Sequence, residues 1–124
     1  MNKDIVVYIC GLHSLSFVIF HCAFWKLFKW QVELKKLGMV NRAIMQILNI
    51  QLICVFLLTA FLCIFYNSEL HNTSLGKAFL AGMSIFWLIR AIEQMVFLPI
   101  NNKYVHLLTV LFMAGCILFF LPLF

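Results

Sequence analysis

Charge is what this chain has least of. Among its 124 residues Asp and Glu together number 4 and Lys and Arg 9, so only 10% are charged, against about 25% in a soluble domain. So few cannot clothe a soluble surface, which excludes a free globular domain. Proline (2) and glycine (5) are equally sparse, which excludes collagen-like and low-complexity chains. There is no glycine-rich phosphate loop, no H-E-x-x-H, no G-x-S-x-G and no kinase-type motif, so the usual enzyme signatures are missing. C-x-x-C is missing too. Cys10, Cys22, Cys54, Cys63 and Cys116 all fall in apolar stretches, where cysteine behaves as a small hydrophobe.

What is abundant is hydrocarbon: 65% of residues are hydrophobic and 16% aromatic, with 14 phenylalanines. A spanning helix needs about 20 apolar residues, each rising about 1.5 Å through a core about 30 Å thick. Four stretches qualify: residues 5–28, 43–66, 78–98 and 104–124. Their apolar runs are continuous rather than alternating, which argues against barrel strands. The expected fold is all-α, a four-helix transmembrane bundle forming a single domain over 1–124. With His13 and His21 inside the first run and no small-x-small site after it, that run is expected to stay rather than be cleaved.

Charge sets the expected orientation. Lys26, Lys29, Lys35, Lys36 and Arg42 lie between the first two spans, opposed by Glu33, and Lys103 lies on the same side. Lys3, balanced by Asp4, and Lys77 are the basic residues of the other side. The positive-inside rule puts the basic first loop in the cytoplasm and both termini outside, N-out/C-out. In a bacterium this would be the plasma or inner membrane. Tyr8 and Tyr66 then mark the outer interface and Trp25, Trp30 and Tyr104 the inner one, where amphipathic rings settle. Trp87 falls near mid-membrane, expected between helices or against lipid. Residues 24–37 read as a helix leaving the bilayer or lying along its inner surface, with Gly38 as its stop and Asn41 as the next N-cap. The outer loop is short and polar, with Thr73 or Ser74 as a cap and His71 as a solvated residue. Asn72-Thr73-Ser74 matches a glycosylation acceptor.

Polar residues inside apolar spans are expensive and therefore informative. Counting about 1.5 Å per residue from Lys26, Arg42, Pro99 and Lys103 puts His21 about 7 Å deep and Gln46 and Asn49 about 6 and 10 Å. Gln94, Glu93 and Arg90 come out at about 7, 9 and 13 Å, and His106 at about 4 Å. Arg42, Gln46 and Asn49 share one face of the second span, and Arg90, Glu93 and Gln94 one face of the third. A lone arginine at that depth costs about 3 kcal/mol or more. The expected ligand-binding set is therefore Arg90, Glu93, Gln94, Gln46, Asn49, His21 and His106. Arg90 would hold an anion, Glu93 act as counter-ion and proton acceptor, the amides orient, and the histidines line the opening. The competing reading is helix glue, since polar contacts between membrane helices contribute about 0.6 to 2 kcal/mol each. Ala78-x-x-x-Gly82 offers a close-approach surface beside it.

The reading this supports is a small multi-pass membrane protein whose cytoplasmic-half pocket binds a small polar or anionic ligand, a lipid headgroup or a proton. One alternative is a non-catalytic accessory or assembly subunit; another is a haem- or quinone-linked redox subunit, on His21 and His106. No metal site is expected, and the cofactor is undetermined by sequence. The expected partners are the lipid bilayer, a small anionic or lipid ligand, and a homo-oligomer or larger membrane complex. Nucleic acid is not among them. A cysteine placed at Lys36 tests the orientation: a membrane-impermeant thiol reagent should label it after lysis and not in intact cells, and the reverse would invert the topology.

Overall fold

A backbone with little water to bond must bond itself, and the helix is the solution that needs no neighbour. The computed structural model describes residues 1–124, and its regular structure is entirely helical. Helix α1 covers Lys3–Cys22, followed by two single-turn helices, α2 (Phe24–Leu27) and α3 (Trp30–Glu33), and a 3₁₀ turn at Leu34–Lys36. Helix α4 runs Met39–Phe65, α5 Asn67–Asn72, α6 Ser74–Phe97 and α7 Lys103–Phe120, with a closing 3₁₀ turn at Leu121–Leu123. Four of these (α1, α4, α6 and α7 with its closing turn) are long and apolar enough to cross a membrane. In none is more than 33% of the apolar stretch buried inside the chain. Side chains such as Ile47, Leu58, Phe61, Ile85 and Val110 lie open on the helix surfaces.

The ends of the helices differ from the sequence expectation in instructive ways. The first long helix closes at Cys22, and the chain turns through Lys29, the one non-glycine residue with positive φ (52°). That left-handed residue breaks what residues 24–37 suggested as one surface helix into short pieces. Asn41 lies inside α4, which begins earlier, at Met39. Thr73 caps α6, its hydroxyl accepting from Gly76 N at 3.0 Å. Gly76 is required by packing: a Cβ there would land in the backbone of Glu69 and Leu70.

The chain groups into two units. The first joins residues 1–10 to 62–124. Its core holds Val7, Cys10, Cys63, Leu80, Trp87 and Phe119. Trp87 stacks on Phe112 with centroids 5.8 Å apart. Ser84 donates to the Cys116 carbonyl at 2.8 Å, and the Cys10 thiol to that of Leu118 at 3.2 Å. Asn67 donates to two carbonyls, Asp4 at 3.0 Å and Cys63 at 3.1 Å. His71 is not the solvated residue expected: it belongs to α5, its side chain is 11% exposed, and its Nε2 lies 2.6 Å from Asp4 Oδ1.

The second unit, residues 11–61, contains most of α1, the elbow formed by α2, α3 and the 3₁₀ turn, and most of α4. Phe17 and Phe56 are buried at its centre, 5.9 Å apart. Phe24, Trp25 and Trp30 form an edge-on aromatic cluster in the elbow, with centroid distances of 5.7 and 5.2 Å.

Candidate functional site: the α6–α7 hairpin cleft

The seven residues singled out by sequence divide between the units. His21, Gln46 and Asn49 belong to the second; Arg90, Glu93, Gln94 and His106 belong to the first.

In the second unit His21 and Asn49 clasp each other. His21 Nδ1 lies 2.7 Å from Asn49 Oδ1, and Asn49 Nδ2 donates to the His21 carbonyl at 3.0 Å. An amide oxygen only accepts, so Nδ1 carries the proton and the tautomer is fixed. The imidazole also stacks on Phe24 at 4.3 Å. Gln46 accepts from Trp25 Nε1 at 3.2 Å and returns a bond to the Arg42 carbonyl at 3.3 Å. These amides tie α4 to the end of α1 and to the elbow. Their geometry is that of a clamp.

In the first unit α6 and α7 meet through a short hairpin. Pro99 lacks an N–H and cannot continue α6. The chain reverses through two successive three-residue turns, Ile100 N bonding the Leu98 carbonyl at 2.8 Å and Asn102 N the Ile100 carbonyl at 3.0 Å. Asn102 then caps α7, accepting from Tyr104 N at 2.8 Å. At this reversal lies a cleft of about 440 Å³ lined by Gln94, Met95, Leu98, Pro99, Ile100, Asn101, Val105, His106 and Thr109.

The polar groups of the cleft are few and placed. Gln94 is 3% exposed and donates to the Val105 carbonyl at 3.4 Å; Thr109 donates to the same oxygen at 3.1 Å. His106 Nε2 lies 2.9 Å from Asn101 Oδ1. Nε2 is therefore the donor, and in the neutral ring Nδ1 is an acceptor. The Gln94 oxygen is a second acceptor, and the Asn101 amide supplies N–H donors. No charged residue lines the cleft. Its walls, Met95, Leu98, Pro99, Ile100 and Val105, are apolar. Such a hollow suits an uncharged head bearing a hydroxyl or amide, with an apolar remainder along the wall.

Arg90 and Glu93 do not line this cleft. The Arg90 guanidinium carbon sits 4.5 Å over the Phe112 ring, a cation–π contact. Glu93 is exposed, and no ion pair joins the two side chains; the chain's ion pairs are Lys36–Glu33 and His71–Asp4. Among His, Cys, Asp and Glu, no three converge as a metal-binding group. Asn101 and Thr109 escaped sequence reasoning because one is in a loop and the other is a single hydroxyl in an apolar run. The available signal was Thr109 four residues after Val105, on the His106 side of α7.

Comparison with protein families, curated proteins and solved structures finds no match to this chain.

The clasp predicts a non-additive pair. Asn49→Leu alone leaves the His21 Nδ1–H without its acceptor and should destabilise the protein in detergent by about 1 to 3 kcal/mol. Adding His21→Phe should cost less than the sum of the two singles in thermal unfolding. Strict additivity would show that the contact is incidental.

Proposed function

We propose that this chain is a small multi-pass membrane protein whose α6–α7 cleft holds the head of a small neutral amphipath. The observation that carries the reading is the cleft itself: Gln94, Asn101 and His106 offer hydrogen bonds in a hollow whose remaining walls are mainly apolar. The long helices cross the bilayer, with their exposed Ile, Leu, Val and Phe side chains against lipid. The elbow, which carries Lys26, Lys29, Lys35 and Lys36, faces the cytoplasm, so both termini lie outside. With the N-terminus outside, α6 is the third crossing, so the 98–102 hairpin lies on the cytoplasmic side. The cleft then opens at the inner headgroup level, where a lipid-like molecule keeps its head near water and its tail in hydrocarbon.

The uncharged lining favours a hydroxyl- or amide-bearing head over an anion. An isolated anion would lose hydration and gain no cation in return. A second reading, a subunit that locks onto a partner, is favoured by the exposed carboxylate of Glu93 within a long apolar helix.

The test uses a photoactivatable monoacylglycerol with the purified protein in lipid nanodiscs. Labelling should concentrate between residues 94 and 109. Gln94→Leu combined with His106→Leu should lower it about tenfold, the loss expected when two modest hydrogen bonds go. Even labelling along all four long helices, or labelling indifferent to the double variant, would contradict the proposal.

A further inference from the structure

The elbow between α1 and α4 gathers basic residues that nothing in the chain answers. From Phe24 to Arg42 stand Lys26, Lys29, Lys35, Lys36 and Arg42 against one carboxylate, Glu33. Lys36 is occupied with that carboxylate, its Nζ 3.0 Å from both Glu33 oxygens. The chain's other ion pair is His71–Asp4, so Lys26, Lys29, Lys35 and Arg42 have no anion within the protein.

Apolar surface lies among these charges. Leu27, Phe28, Val32 and Leu37 are exposed. A groove of about 510 Å³ opens in the same segment, walled by Phe24, Phe28, Trp30, Leu34, Leu37 and Met45. Glu33 also lines it, and Lys36 neutralises that charge. The left-handed turn at Lys29 shapes the groove by bringing Trp30 back against Phe24, with ring centroids 5.7 Å apart. On a straight helix those two positions would be separated by about 9 Å along the axis. Lys26 falls between Phe24 and Phe28, Lys29 between Phe28 and Trp30, and Lys35 between Leu34 and Leu37. The unpaired lysines therefore alternate along the chain with the residues of the groove wall.

We infer that the elbow is a docking site for acidic phospholipid, the phosphate-bearing head held by Lys26, Lys29 and Lys35 and an acyl chain laid in the apolar groove. The inference rests on the reading of α1 and α4 as membrane-crossing helices. It does not rest on the α6–α7 cleft, which belongs to the other unit.

The two kinds of surface together select this occupant. A neutral lipid would fill the groove and leave the cations unanswered. Free phosphate or an acidic peptide would answer the cations and leave Leu27, Phe28, Val32 and the groove against water. An acidic lipid carries both complements in one molecule. The placement agrees, since α1 closes at Cys22 and α4 opens at Met39, which tethers both ends of the elbow to spanning helices at one membrane face. Met45, three residues further into α4 than Arg42, extends the groove toward hydrocarbon.

The experiment follows tryptophan fluorescence of the purified full chain in mixed vesicles of phosphatidylcholine and phosphatidylglycerol. One lipid at a time carries bromine on its acyl chains, which quenches a neighbouring indole. Trp87→Phe leaves Trp25 and Trp30, both in the elbow, as the reporters. Quenching should show a preference of about tenfold for the acidic lipid. Lys26→Gln, Lys29→Asn and Lys35→Gln together should bring it to parity, asparagine being chosen at 29 because it tolerates the left-handed backbone. Glu33→Gln releases Lys36 and should raise the preference. Equal quenching by the two lipids, a preference unchanged in the triple variant, or no rise with Glu33→Gln overturns the inference. So does a preference abolished by inorganic phosphate or polyglutamate at constant ionic strength, which assigns the lysines to a soluble anion. Carbonate extraction in parallel separates the readings. A chain released by carbonate overturns the membrane reading and this inference together, whereas a retained chain without lipid preference overturns this inference alone.

Discussion

An unpaired polar group away from water costs several kcal/mol, and this constraint organises the whole chain. It makes the backbone helical wherever the sequence is apolar, and it decides what the few polar side chains must do. Asn49, Asn67, Ser84 and Gln94 are all buried, and each donates to a backbone carbonyl: those of His21, of Asp4 and Cys63, of Cys116 and of Val105. A carbonyl inside a helix keeps a spare lone pair. An amide or hydroxyl on another helix therefore finds a partner without breaking the ladder. Helices that would otherwise slide on apolar surfaces acquire a fixed register from these bonds.

The same constraint separates glue from candidate function. The His21–Asn49 clasp uses its groups on one another, and Gln46 is occupied by Trp25 and by its own helix. The hairpin cleft retains acceptors at Gln94 and His106 and donors at Asn101, beside an apolar wall. Arg90 and Glu93 form a third class. Arg90 is half-buried over the Phe112 ring and Glu93 is exposed, with no ion pair between them.

The four long helices were legible because length and hydropathy alone define them. Their inner ends were less so. The left-handed turn at Lys29 and the Met39 start of α4 depend on how the elbow packs, and a run such as FWKLFKW reads equally well as one helix or two. Depth counting put His21 at about 7 Å and Asn49 at about 10 Å but says nothing about azimuth. Spacing put Arg90, Glu93 and Gln94 on one face of the third span, while the structure turns Gln94 inward and Glu93 outward. Neighbours on a helix differ by about 100°, enough to separate glue from surface. Asp4–His71 joins residues far apart in sequence, and no local pattern announces such a pair.

The central claim, that a bilayer is the solvent this fold answers to, is tested most directly by amide hydrogen exchange of the protein in lipid nanodiscs. Strong protection is expected throughout the apolar stretches of α1, α4, α6 and α7, with fast exchange at the elbow, 24–38, and the hairpin, 98–102. Any one of the four long helices exchanging as quickly as the elbow would contradict the account.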